Sequence, residues 1–379
     1  MSQYVCRLCA HASLDEAMII ENAPRNVQRL YTLDELGSDR PIKLTVYCCN
    51  RCGFVQIQPI LGEEYYDDYM MVASHSKQMQ EYQGRQAAEF VARFQLAGKS
   101  VKEIGCGDGS YLDHLKRAGA VALGIEPSQR TRDIALTKGH AVEAGYVSAA
   151  RLLEDGPYDA FVTRQVLEHV PDIHDFLMGI RLNLRPGAVG LVEVPSLEKA
   201  LADSRYYDFF SDHVNYFSFK TLRMALELNG FEVLEMRPDM FGEYDVAVVR
   251  NPERVQLGMV QGAIETLGRA LREFISEHRA GGKKVAMWGA GGKGLSVLAA
   301  AGIREIDLLV DSDPNKQGRF TPVSHLKVEA PSALVDVGVD AVIITAMAYW
   351  REIHRALREK HGFRGVIAVL GKTVEIVEP

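Results

Sequence analysis

Short apolar runs bounded by glycine alternate with stretches of helical period along most of this chain, the pattern of parallel strands joined by crossover helices. Residues 101–104 read as a buried parallel strand, followed by a glycine-rich turn and a helix over 111–118. A second apolar run at 121–125 ends in Glu126, a further strand is expected at 158–162, and a helix precedes them all over 76–96. Beyond residue 252 the period changes. Leu257, Val260, Ile264, Leu267, Leu271 and Ile275 recur at helical spacing and predict one long helix over 252–279, stopped by Ala280-Gly281-Gly282. A second strand–turn–helix–strand series follows, with strands at 285–288 and 308–311 and a helix at 295–301. The stretch 1–62 lacks this alternation, and strands are expected there only around 43–48. The chain is therefore read as α/β in three blocks: 1–62, 63–251 (opening on an acidic, tyrosine-rich connector) and 252–379, the last two each Rossmann-like.

The 379 residues give room for two or three domains. With 47% hydrophobic and 25% charged residues the composition is that of a soluble globular protein. A net charge of −7 and the lack of a basic stripe leave no electrostatic footprint for nucleic acid. No apolar run reaches the roughly 18–20 residues that span a bilayer, and the N-terminus has no signal-peptide pattern. A cytoplasmic protein with a small-molecule partner is expected, in a compartment where free and metal-bound thiolates are normal.

The most informative chemistry lies between the first two strands of the middle block. Gly105, Gly107 and Gly109 sit two apart and let the backbone approach a ligand closely, with Glu103 before them and Asp108 among them. Glu126 closes the next apolar run after this turn, where a carboxylate can accept bonds from both hydroxyls of a ribose. A dinucleotide fingerprint would read G-x-G-x-x-G; the acidic loop instead repels phosphate and suits a cationic sulfonium with an amino-acid head.

Five of the six cysteines lie between Cys6 and Cys52. Cys6 and Cys9, with Cys49 and Cys52, form two C-x-x-C knuckles able to present four thiolates tetrahedrally to a structural zinc ion. The long segment between the knuckles, 10–48, must fold back on itself, Gly53 follows the second, and Cys48 is a spare thiol that could replace Cys49. In the last block, Gly289, Gly291 and Gly294 do follow G-x-G-x-x-G, with Asp311 beyond them. Lys293 inside that turn leaves three alternatives: NAD, a phosphate or nucleotide-sugar contact, and a scaffold without ligand.

The stretch from Glu103 to Gly109 resembles motif I of class I S-adenosylmethionine (SAM) methyltransferases, with Glu126 as the ribose-binding acid and Leu184-Arg185-Pro186-Gly187-Ala188 similar to the later turn of that fold. Gln165 is assigned to the cofactor with them. The whole chain resembles the nucleotide-sugar C-methyltransferases that make branched-chain deoxysugars. That likeness rests on the four cysteines, motif I, the segment from Asp212 to Ser218, the turn from Gly289 to Gly294, and the segment from Val310 to Phe320. It implies methylation of a carbon beside the ketone of a dTDP-linked or related sugar. His213 then stands at the position of the base that removes the C–H proton, as a neutral imidazole can near working pH. Asp212 stands where the family usually has glutamate and Phe210 where a tyrosine is common. The likeness also implies that His169 polarises the keto oxygen or binds a hydroxyl. Tyr65, Tyr69 and Ser76 match the family's spaced residues over the sugar, Tyr69 being placed with the catalytic groups. Tyr216 is a further substrate contact, and Lys293, Lys316 and Arg319 are candidates for the diphosphate.

Overall fold

Aliphatic and β-branched runs form strands in three sheets among the residues that the computed structural model describes, which are 4–27, 30–62, 65, 76–253, 255 and 257–377. The chain divides into two units, residues 1–254 and 255–379.

In the first unit, β1 (Leu14–Pro24), β2 (Pro41–Cys49) and β3 (Val55–Ile57) pair antiparallel. Next come β4 (Ser100–Ile104), β5 (Val121–Glu126), β6 (Ala141–Ala144), β7 (Tyr158–Arg164) and β8 (Leu184–Pro195), all mutually parallel. The short β9 (Asn215–Tyr216) returns to pair with β3, while β10 (Glu232–Asp239) and β11 (Tyr244–Arg250) add an antiparallel edge to β8. The large sheet has the order β10-β11-β8-β7-β4-β5-β6. Its connections diverge between β4 and β7, and in such sheets the ligand crevice lies at the carboxyl ends of those strands.

Helix α1 (Lys77–Arg93) starts where Ser76 accepts a capping bond from the Met79 amide, and α2 (Ser110–Arg117) starts directly after the glycine turn. The 1–62 block does not stand apart. Cys6, Leu8, Cys49, Cys52 and Phe54 share one buried core with Phe161, Leu167, Leu177, Val192 and Phe217. The strand pairing of β3 with β9 joins the two backbones as well.

The second unit holds a six-stranded sheet. Its strands are β12 (Val285–Trp288), β13 (Leu308–Val310), β14 (Val328–Glu329), β15 (Ala341–Ile344), β16 (Val366–Leu370) and β17 (Val374–Val377). They run in the order β14-β13-β12-β15-β16-β17, parallel except for β17, a Rossmann-like arrangement. The long helix spans Gly258–Ala280, later than its apolar period predicts. Leu271 and Ile275 are buried, but Leu257, Val260 and Ile264 are exposed, so only the second half of that stripe covers this sheet. No described helix is long and apolar enough to cross a membrane.

One buried acid makes the stability of the first unit pH-dependent. Asp245 on β11 is fully buried beside Glu198, and burial pushes its carboxyl up to about 7. An unfolded aspartate titrates near 3.9, so between about pH 4 and 7 the folded state holds a proton that the unfolded state lacks. The stabilisation is therefore complete below the unfolded value and lost as pH rises through the folded one. Asp245→Asn has no such proton to lose. From about pH 4 to pH 8 it is expected to gain on the order of 4 kcal/mol relative to the parent, read from urea unfolding. An equal difference at both pH values would contradict this.

Candidate active site

The cofactor half of the site is built by a turn that only glycine can follow. Gly105, Gly107 and Gly109 all have positive φ, at 74°, 52° and 78°. A Cβ on Gly105 would lie 2.5 Å from the Val166 side chain, and one on Gly109 would lie 2.6 Å from His140. Glu126, at the end of β5, accepts from the Gly107 amide at 2.8 Å and the Ser128 amide at 2.9 Å. Burial pushes its carboxyl up, while those two amides pull it down. Glu103 is buried behind the turn, where desolvation raises its carboxyl well above the usual range against the pull of Arg164.

Asp108 departs from the expectation of a loop acid facing the sulfonium. Its carboxylate accepts from Lys138 at 2.9 Å and from the Ser110 amide at 3.1 Å, so its charge is matched by a lysine and by the start of α2. Gln165 sits at the end of β7 with φ of 55°. Its side-chain amide donates to Glu193 at 3.2 Å, and Glu193 also accepts from Tyr82, Gln86 and Arg164. That bond holds the strand end in place and occupies one donor of the Gln165 amide.

A second cluster gathers around His213. The His169 and His213 rings lie 4.6 Å apart at 82°, and Phe210 packs on His213 at 4.2 Å. Burial lowers the pKa of both imidazoles, that of His169 to about 4 and that of His213 well below the usual value with a further push from His169. Both rings are consequently neutral at physiological pH. His169 Nδ1 lies 2.9 Å from the Asp212 carbonyl oxygen and donates to it, which leaves its Nε2 as an acceptor. Such a nitrogen can accept a hydrogen bond but cannot donate one. The buried Asp212 carboxylate lies 3.9 Å from the same Nδ1.

Tyr216, expected at the substrate, bonds to the backbone of its own loop. Its hydroxyl accepts from the Phe210 amide at 3.0 Å and reaches the Phe210 carbonyl at 3.2 Å, so the phenol shapes the 210–213 loop and is not spare for substrate. Ser76 is engaged as the cap of α1, and the Tyr65 amide donates to the Gly62 carbonyl at 3.1 Å. Tyr69 lies outside the described residues.

Two residues that no sequence signal assigned to the site hold it together, and a third lies beside them. Arg7, inside the first C-x-x-C, donates to Asn215 Oδ1 at 3.1 Å and to the carbonyls of Ile57 and Val214. Burial lowers its pKa to about 10, so it stays charged. Asn215 in turn donates to the carbonyls of Leu167 at 3.0 Å and Val170 at 2.7 Å, tying the His169 turn to the His213 loop. Glu168, between Leu167 and His169, is the third. It is 1% exposed, and desolvation raises its carboxyl well above the usual range. An acid flanked by Val166, Leu167 and Val170 is a sequence signal that could have flagged it.

The four expected cysteines meet. Cys6 and Cys52 sulfurs are 3.6 Å apart, as are those of Cys9 and Cys49, and all four fall within 4.8 Å of one another. The two knuckles repeat one geometry. Ala10 and Gly53 have φ of 56° and 80°, and their amides donate to the Cys6 and Cys49 carbonyls at 2.8 and 2.9 Å. Cys48 is outside the cluster.

The family described as "Methyltransferase domain" matches residues 79–236, and the one described as "C-methyltransferase C-terminal domain" matches residues 257–369. The C-methyltransferase NovU of Streptomyces niveus is 25% identical over 380 residues, covering 92% of this chain and 90% of the relative. This protein is a SAM-dependent methyltransferase. Over 124 residues, 31% of this methyltransferase, it is also 32% identical to the ubiquinone biosynthesis O-methyltransferase of Rhizobium rhizogenes, of which it covers 49%. Among solved structures, the magnesium protoporphyrin IX methyltransferase of Synechocystis is 18% identical with a TM-score of 0.38, over 51% of this chain and 89% of that one.

In the methyltransferase's second unit, Asp311 already accepts from the Ala290 amide at 2.7 Å, the Asp313 amide at 2.9 Å and Lys316 at 3.0 Å. A ribose diol would have to displace Lys316, and a diphosphate would compete with Asp311 for that lysine. Lys293 and Arg319 are exposed.

Glu126→Gln keeps the shape of the cofactor site but removes a charged acceptor. Bonds to charged groups contribute about 1.5–3 kcal/mol, so SAM should bind roughly 10- to 100-fold more weakly in calorimetric titration. An unchanged affinity would remove Glu126 from the site.

Proposed function

We propose that this methyltransferase moves the SAM methyl group to a carbon beside the ketone of a nucleotide-linked keto sugar. The observation that carries the reading is the neutral His213 imidazole, half-buried beside His169 in the same unit as the cofactor turn. His213 takes the proton from the C–H next to the carbonyl. The enolate carbon then attacks the methyl carbon of the sulfonium, the carbon–sulfur bond breaks, and S-adenosylhomocysteine leaves. Carbanion and cation are both neutralised in that step, so bringing the two groups into line supplies much of the acceleration. His169 Nε2 accepts from a sugar hydroxyl and orients the ring. The similarity to a C-methyltransferase along nearly the whole chain supports a carbon acceptor.

For the cysteine cluster we assign zinc. Bonds of about 2.3 Å in a tetrahedron put sulfurs about 3.8 Å apart, close to the 3.6 Å observed for two of the pairs. Four thiolates leave no open position, so the ion is structural, and the knuckle it fixes carries Arg7.

An oxygen acceptor is the competing chemistry. The relatives named as O-methyltransferases align over 29–31% of this chain. Incubation with SAM and a set of keto nucleotide sugars, followed by mass spectrometry and NMR, tests the reading. A product one methyl heavier, with the new carbon bonded to ring carbon, is expected; a methyl on oxygen or nitrogen would overturn it.

A further inference from the structure

Glu168, His169 and His213 each offer one ligand atom, and the three atoms lie within 4.8 Å of one another. Glu168 is buried, and neither of its side-chain oxygens has a hydrogen-bond partner among the described residues. A carboxyl in that position is unfavourable as a bare anion and is relieved by a cation. His169 donates Nδ1–H to the Asp212 carbonyl at 2.9 Å, which fixes the ring and leaves Nε2 to ligate. Metal-bound imidazoles are typically held in this way through their second nitrogen. The buried Asp212 carboxyl lies 3.9 Å from His169 Nδ1, behind the cluster.

We propose that Glu168, His169 and His213 form a second metal site, which takes a divalent transition ion of the zinc, cobalt or nickel class through two imidazole nitrogens and one carboxylate oxygen. Two nitrogens and one oxygen favour such ions over magnesium or calcium, which prefer all-oxygen shells. Bonds of about 2.0–2.1 Å in a tetrahedron put ligand atoms about 3.4 Å apart, so rotations of these side chains by roughly an ångström close the site. Three protein ligands leave a position for water or a substrate oxygen. The bound ion takes the His213 lone pair, the one that accepts the substrate proton in the reading above. Ion binding itself stands on the three side chains alone; its inhibition of enolisation rests on that reading.

The test uses the full chain with its thiolate cluster loaded with zinc, titrated with Co2+ and followed by visible absorption. One further equivalent is expected, with weak d–d bands and without the near-ultraviolet sulfur-to-cobalt charge transfer that replacement at the thiolates would produce. Glu168→Gln and His169→Asn, each verified as folded by SAM binding and retained zinc, should weaken that equivalent at least tenfold. Either variant suffices. The absence of a second equivalent, or equal affinity in a folded variant, would overturn the site. Deuterium uptake by the substrate carbon should fall in step with cobalt occupancy. Uptake that continues at saturating cobalt would overturn the assignment of His213 as a ligand, whereas absent uptake without cobalt would count against the base and leave the binding result standing.

Discussion

His213→Asn should lower the rate of methyl transfer by about 10²- to 10⁴-fold, the usual contribution of a positioned general base, with SAM affinity unchanged. Asparagine keeps much of the shape of imidazole but has no basic nitrogen. The ring it replaces packs against His169 and Phe210 and is not in contact with the glycine turn in any described interaction, so the cofactor half should survive. Burial holds His213 neutral, so the parent should retain its base well below the usual histidine pKa. Single-turnover rates at saturating SAM, with calorimetry of SAM binding, provide the check. A rate within threefold of the parent, by our criterion, would exclude His213 as the base.

Removing the zinc proposed for the cysteine cluster is the second large perturbation. Metal binding at such sites is also folding free energy, and here the knuckles share a core with Phe161, Leu167 and Val192 from the cofactor half. Chelation is therefore expected to abolish turnover and to lower the unfolding temperature of the first unit as a whole. Arg7→Ala separates the two effects. It leaves the four thiolates in place but removes the guanidinium that reaches Asn215, Val214 and Ile57. Because misplacing a reacting group by about an ångström can reduce a rate by about 10², kcat should fall by roughly 10- to 100-fold with zinc content and SAM affinity retained. Metal analysis alongside the kinetics reads both. Full activity in a protein proven to be metal-free would break the link between knuckle and base.

The sequence made legible whatever depends on local backbone geometry or strong side-chain pattern. Three glycines two apart, with an acid closing the next strand, can hardly build anything but this turn between parallel strands, and paired C-x-x-C spacings put the sulfurs together. What escaped depends on partners far away in the chain. Arg7 and Asn215 are 208 positions apart, and the knuckle pattern hides the arginine inside it. Tyr216 and Asp108 look available as isolated residues, but the Phe210 backbone and Lys138 hold them. The long helix misled for a related reason. Apolar period fixes which face is buried but not how far along the helix the sheet reaches, and this sheet stops short of Ile264.

Proton exchange at the acceptor carbon isolates the decisive step, because it needs the base but no methyl donor. A keto nucleotide sugar kept in D2O without SAM, with protein that carries zinc at its four cysteines and no excess metal, should take up deuterium at the position to be methylated. That uptake should vanish with His213→Asn. Methyl transfer that proceeds while neither protein exchanges that hydrogen, or equal exchange by both, would contradict the account.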